Sequence, residues 1–206
     1  MGGIDVELGR RSKDNVYGLE TIPRPPQYER ILARSREVAF AMNSDVLTGS
    51  LLRTLAASKP GSAMLELGTG CGLGASWILE GMDASSSLTS VDTDPRFQSI
   101  AAEELGADRR LTLVLQDGGE FLDTCDQQFD LIYADAWPGK YSHLEKALAL
   151  LNRGGIYVGD DMLPQSNWPE GHGAKAEALL ARFDHLDGFA VTKLSWSTGL
   201  IVAVRR

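Results

Sequence analysis

The stretch Met64-Leu65-Glu66-Leu67-Gly68-Thr69-Gly70-Cys71-Gly72-Leu73-Gly74 constrains this chain more than any other. An apolar run from Ala63 to Leu67 carries one carboxylate, Glu66, and glycines then recur at alternate positions. A helix-compatible segment, Ala75 to Glu80, comes next. Glycine lets the backbone turn sharply and removes the Cβ that would hold a ligand off. A helix start presents N–H groups with no partner inside the helix. The stretch therefore predicts a buried strand, a tight turn and a helix N-terminus that can receive a ligand.

The rest of the chain repeats that unit. Short β-runs at Ser87–Val91, Leu111–Leu115, Phe129–Ala134 and Ile156–Val158 alternate with helical patterns at Pro95–Leu105, Glu120–Leu122 and His143–Leu151. Upstream, apolar spacing predicts helices over Gln27–Met42 and Asp45–Ala57, with Ser44 as a candidate cap of the second. Downstream, a loop over Met162–Gly171 leads to a helix, Ala174–Phe183, and two β-runs, Phe189–Trp196 and Leu200–Val204. Ser197-Thr198-Gly199 between those runs predicts an antiparallel hairpin. Such alternation predicts an α/β fold: a doubly wound, seven-stranded, mostly parallel sheet with helices on both faces and a C-terminal antiparallel hairpin. Residues 1–24 read as an irregular arm and residues 25–206 as a single domain.

Composition narrows the partners. The net charge is −8 and no basic run exceeds a pair, which disfavours nucleic acid, whose phosphates call for clustered Lys and Arg. No apolar run approaches a membrane span, and no signal-peptide pattern opens the chain. Cys71 and Cys125 do not make a disulfide framework and suit a reducing cytoplasm. A homodimer is left open, with the N-terminal arm as a segment that could order against a partner.

Each of the first five β-runs ends at or near an acid: Glu66, Asp92, Asp117, Asp135, and then Asp160-Asp161. In open α/β sheets the ligand crevice lies outside the carboxyl ends of the strands. Any one of these acids could be a turn former or helix cap; their shared position is what predicts a site. Gly70, Gly72 and Ala75 also satisfy a loose dinucleotide pattern. Glu66, a carboxylate before the loop, would repel a pyrophosphate and suit a cationic ligand. Asp92, twenty residues past Gly72, stands where an acid accepts hydrogen bonds from a ribose diol.

Glu66-Leu67-Gly68-Thr69-Gly70, with Asp92 and Asp117 after the next two strands, resembles motifs I to III of the Rossmann-like S-adenosylmethionine-dependent methyltransferases. The resemblance covers roughly Met42 to Arg206. It implies S-adenosylmethionine as cofactor, with Glu66, Gly68, Gly70, Gly72, Asp92, Thr93, Asp117, Gly118, Asp135 and Trp137 around it. Phe129-Asp130-Leu131-Ile132-Tyr133-Ala134-Asp135-Ala136-Trp137 further resembles the strand-4 segment of the catechol and caffeoyl-CoA O-methyltransferases. That likeness implies a small phenolic or catechol-like acceptor and a divalent metal such as Mg²⁺ on Asp135, Asp160 and Asp161. Ala41-Met42-Asn43 is similar to a catechol-enzyme segment whose Met packs against the methyl donor, which assigns Met42 the same place.

The chain departs from that pattern at Pro138, where those enzymes carry a lysine base, and at Asp161, where they carry Asn. Lys140 and His172 are the replacement candidates for the base, beside Asp135. The alternative readings are a metal-independent methyltransferase acting on nitrogen or another small-molecule acceptor, a catalytically silent S-adenosylmethionine-binding protein, and a NAD(P) oxidoreductase.

Overall fold

The computed structural model describes residues 18–165 and 168–206. Most of the expected N-terminal arm (1–17), and Ser166 and Asn167 of the expected loop, lie outside the described residues. Among these residues seven strands, β1 (Ala63–Leu67), β2 (Ser87–Asp92), β3 (Leu111–Leu115), β4 (Phe129–Ala134), β5 (Leu151–Gly159), β6 (Phe189–Leu194) and β7 (Leu200–Arg205), form one sheet. Their order is β3-β2-β1-β4-β5-β7-β6. The pairs among β1 to β5 are parallel, and β7 runs antiparallel to both β5 and β6. The expected α/β sheet with a closing hairpin is therefore the observed one.

Among the described residues seven α-helices cover the sheet: α1 (Tyr28–Glu37), α2 (Val46–Ala57), α3 (Leu73–Gly81), α4 (Pro95–Leu105), α5 (Gly118–Thr124), α6 (Leu144–Ala149) and α7 (His172–Asp184). Strand alternation splits the apolar residues between two faces. Met64, Leu88, Leu131 and Val158 pack with Ile31, Leu52, Trp77 and Ile100 from α1 to α4. Leu65, Ile132, Tyr157 and Ala203 pack with Leu122, Leu148 and Phe183 from α5 to α7. Connections from β1 lead outward to β2 on one side, while β4 pairs on the other, so a crevice opens above the carboxyl ends of β1 and β4.

Three local expectations change. The first helix ends at Glu37 rather than Met42, because Ala39 takes a left-handed φ of 55° and the Phe40 N–H donates back to Ser35 O at 2.8 Å. Met42 consequently sits in a loop and is 66% exposed. Asp45 rather than Ser44 caps α2, accepting from the Leu47 and Thr48 N–H groups at 2.7 and 3.2 Å. Finally, β5 begins at Leu151, not Ile156, with an irregular register between Phe129 and Leu131 of the neighbouring strand. Gly154, at φ 79°, lets the strand absorb the Arg153-Gly154-Gly155 kink in place of the expected turn.

Candidate functional site

The glycine loop is held between its neighbouring strands. Gly68 N–H donates to Val91 O at 2.9 Å, and Asp135 N–H donates to Leu67 O at 2.9 Å. Gly68 has φ 104°, and a Cβ there would meet the Asp135 carbonyl oxygen at 2.9 Å. Only glycine lets β1 turn this close to the end of β4. Asp92, the last residue of β2, accepts from Gly70 N–H at 2.7 Å and from Asp94 N–H at 2.9 Å. One carboxylate thus fixes the loop after β1 and the turn after β2.

Above the loop lies a cavity of about 470 Å³. Met42, Gly68, Gly70, Asp92, Thr93, Asp117, Gly118, Asp135 and Trp137 line it, with apolar surface from Phe40, Leu67, Val91 and Phe97. Asp117 also caps α5 through Gly119 N–H at 2.8 Å and Glu120 N–H at 3.1 Å. The volume is that of a small-molecule or cofactor site.

Two residues expected around the cofactor lie elsewhere. Gly72 is the left-handed N-cap of α3, and its missing Cβ makes room for Ala101 and Leu105 of α4, so it serves helix packing. Glu66 is fully buried below the loop, with Ser90 and Tyr133 as its lateral neighbours on β2 and β4. Ser90 Oγ donates to Glu66 Oε2 at 2.5 Å, while Oε1 has no partner among the described residues. Burial is the largest cause that pushes this carboxyl up to about 8, with Ser90 opposing and Asp92 adding to it. At neutral pH Glu66 is mostly a neutral, buried acid rather than an anion offered to a ligand.

A second cavity of about 270 Å³ adjoins the first. Met42, Asn43, Ser44, Asp135, Ala136, Trp137 and Asp161 line both, so they form the shared wall. The far side of the second cavity carries Lys140, Tyr141, Trp168 and His172. Burial, then the neighbouring Asp160, pushes the Asp135 carboxyl well above the usual carboxylate range, and Lys140 opposes that shift. Lys140 is itself buried, with Nζ donating to the Asp160 carbonyl oxygen at 3.0 Å. His172, the first residue of α7, pairs through Nε2 with Tyr141 Oη at 3.1 Å. Burial and then Lys140 lower its pKa, so its imidazole is neutral at pH 7. The rings of Trp137, Tyr141 and Trp168 surround His172 with centroids 4.5–5.8 Å away.

The three aspartates expected to share a metal do not form such a group. Asp160 Oδ2 accepts from Tyr133 Oη at 2.8 Å, and Oδ1 accepts from Asp161 N–H at 2.7 Å and from Thr198 Oγ1. Each oxygen thus accepts at least one hydrogen bond from the protein. Asp161 follows in a left-handed turn, φ 62°. Among the described residues no three His, Cys, Asp or Glu side chains are gathered so as to hold an ion. The set does not fit a resident divalent metal.

Sequence reasoning missed Tyr133, Thr198, Tyr141 and the true place of Ser44. Ser44 Oγ lies 3.1 Å from Tyr133 Oη, joining the loop after α1 to β4. Period-two spacing was a usable signal for Tyr133, which shares the strand face of Asp135. Nothing local signals that Thr198, on the hairpin, reaches Asp160.

Sheet order, the reversed C-terminal hairpin and a glycine loop clasped by the acid that ends β2 make a Rossmann-like fold. Residues 65–162, just under half of the chain, match a family model described as "Methyltransferase domain". A relative from Mycobacterium sp. (strain KMS), provisionally named an O-methyltransferase, is 32% identical over 139 residues, covering 63% of each chain. The matched region thus spans less than two thirds of that relative. Among solved structures, the S-adenosylhomocysteine-bound methyltransferase PaMTH1 of Podospora anserina superposes with a TM-score of 0.81, at 19% identity and full coverage of both chains. The O-methyltransferase TomG of Streptomyces achromogenes, in complex with S-adenosylmethionine, gives 0.78 at 18% identity, covering 90% of this chain and 92% of TomG. At such identities these likenesses speak for the fold.

Proposed function

We propose that the protein transfers a methyl group from S-adenosylmethionine to an oxygen of a small phenolic or catechol-like acceptor, without a resident metal. The observation that carries this reading is the pair of adjoining cavities with Asp135 in their common wall.

The first cavity suits the cofactor. Asp92 already accepts one hydrogen bond on each oxygen, and a carboxylate has room for about four, so it can also take a ribose hydroxyl. Leu67, Val91 and Phe97 offer apolar surface for a base. Asp135 and Asp161 place carboxyl groups near the position a cationic donor would occupy, the role that Glu66 does not fill. When bound, S-adenosylmethionine supplies an electrophilic methyl group on a sulfonium.

The second cavity suits a flat ring, which Trp137, Tyr141 and Trp168 can flank. Methyl transfer is an in-line displacement, so most of the residues' work is alignment. Asp135 is the base: burial and Asp160 hold its carboxyl above the usual range, so once ionised it takes a proton more readily than an exposed aspartate. It takes the hydroxyl proton of the acceptor as the oxygen attacks, and Lys140 supplies positive charge to the same cavity. His172 keeps Tyr141 in place through the Oη–Nε2 contact. A small acceptor in a cytoplasmic setting accords with the net charge of −8 and the two free thiols of Cys71 and Cys125.

The test is calorimetric titration of S-adenosylhomocysteine, followed by transfer of labelled methyl from S-adenosylmethionine to a panel of phenols, catechols and amines. Binding with transfer to oxygen supports the proposal. Binding with no transfer to any acceptor supports the silent cofactor-binding reading, and transfer confined to amines supports the nitrogen one.

A further inference from the structure

A third, open cavity of about 700 Å³ runs between α6 and α7. Trp137, Lys140 and Tyr141 line both this groove and the second cavity, so the groove leads away from the proposed acceptor site. Four cationic side chains (Lys140, Lys146, Lys175 and Arg182) line it against one carboxylate, Glu145. That is an unusual balance in a chain of net charge −8.

Three of these cations are engaged. Lys146 Nζ is 2.6 Å from Asp123, Arg182 pairs with Glu145, and Lys140 donates to the Asp160 carbonyl. Lys175, by contrast, has no carboxylate partner among the described residues. Its Nζ lies 4.0 Å from the centroid of the Trp137 ring. Lys175 is exposed, and the indole face draws its ammonium to the mouth of the groove while leaving it open to an anion.

We infer that Lys175 and the exposed face of Trp137 form a subsite for a carboxylate carried by the methyl acceptor. The inference rests on reading the second cavity as the acceptor site. An aromatic ring lodged beside Trp137 would place its reactive hydroxyl toward Asp135 and a substituent on the opposite edge toward the groove. A carboxylate on the acceptor is the partner this ammonium lacks, whereas Lys146 and Arg182 already have theirs.

The experiment is calorimetry on protein saturated with S-adenosylhomocysteine, titrated with 3,4-dihydroxyphenylacetate and with its neutral primary amide. The acid is expected to bind about fivefold more tightly than the amide, the range of a partly exposed ion pair. That preference should disappear in Lys175→Met and fade at high salt. Lys193→Met, which removes a cation paired with Asp184 away from the groove, should keep it. Equal affinity for acid and amide, a preference that survives Lys175→Met, or no binding by either ligand overturns the subsite. Failure of the preceding S-adenosylhomocysteine titration would instead overturn the methyltransferase reading, and the subsite with it.

Discussion

Tyr133 donates a 2.8 Å hydrogen bond to Asp160, tying the end of β4 to the end of β5 directly beneath the second cavity. Both residues are buried, and Ser44 and Thr198 extend the link to the loop before α2 and to the C-terminal hairpin. A buried carboxylate oxygen left without a donor costs more than the bond itself contributes. Tyr133→Phe is therefore expected to lower unfolding stability by ~1–3 kcal/mol, read by urea denaturation. The affinity for S-adenosylhomocysteine should be nearly unchanged, since Tyr133 does not line the first cavity. An equally stable variant would show that the link carries no load.

Glu66 gives stability a pH dependence that can be isolated. Its carboxyl titrates near 4.5 in the unfolded chain and at about 8 when folded, chiefly because it is buried. Below pH 4.5 both states hold the proton. Between those values only the folded state does, so stability falls as pH rises, by up to about 1.4 kcal/mol per unit. Above about 8 the loss stops growing. Glu66→Gln removes this contribution, so its stability relative to the wild type should climb across that window and then level off. Parallel pH–stability curves for the two proteins would overturn the assignment.

Asp92 is expected to hold both the loop and the cofactor. Asp92→Ala frees the Gly70 and Asp94 N–H groups and removes the acceptor for a ribose hydroxyl. Calorimetry should show S-adenosylhomocysteine binding weakened by ~1–3 kcal/mol. Unchanged affinity would place the cofactor away from Asp92.

The parts of this molecule that were readable in advance are those governed by local pattern. Short apolar runs at Met64–Leu67 and Phe129–Ala134 revealed strands, and acids near their ends marked the crevice, because strand ends and helix starts share one side of the sheet. What stayed hidden depends on contacts between distant segments or on single backbone angles. Ser44 and Asp45 are both competent caps, and only the approach of Tyr133 draws Ser44 away. The left-handed turn at Ala39 ends α1 one turn early with no glycine or proline to announce it. Gly72 looks like the loop glycines beside it, yet its open side faces α4. Asp160 has the right spacing for a metal ligand, while Tyr133 and Thr198, distant in sequence, donate to its oxygens.

Those bonds, and the lack of a gathered ligand set among the described residues, yield a prediction about metal. Mg²⁺, Mn²⁺ or Ca²⁺ titrated into protein saturated with S-adenosylhomocysteine should give no binding heat that Asp160→Ala abolishes. A chelator should also leave methyl transfer unchanged. A saturable site lost in Asp160→Ala would mean that the Tyr133 and Thr198 bonds open to admit an ion, and would restore the three-aspartate centre.

Asp135 is the residue on which the proposed chemistry turns. Asp135→Asn keeps the shape of the wall between the cavities but removes the proton acceptor. It should reduce kcat by about 10²–10⁴-fold, the usual worth of a general base. In the wild type, burial and Asp160 hold the Asp135 carboxyl well above the ordinary aspartate range. The base is active only when ionised, so kcat should fall on the acid side, with its midpoint well above the ordinary aspartate value. The variant should lose that limb while S-adenosylhomocysteine still binds. A variant whose residual activity keeps the same acid limb would move the base elsewhere. Lys140 and His172, both on the second cavity, would then be the residues to replace next.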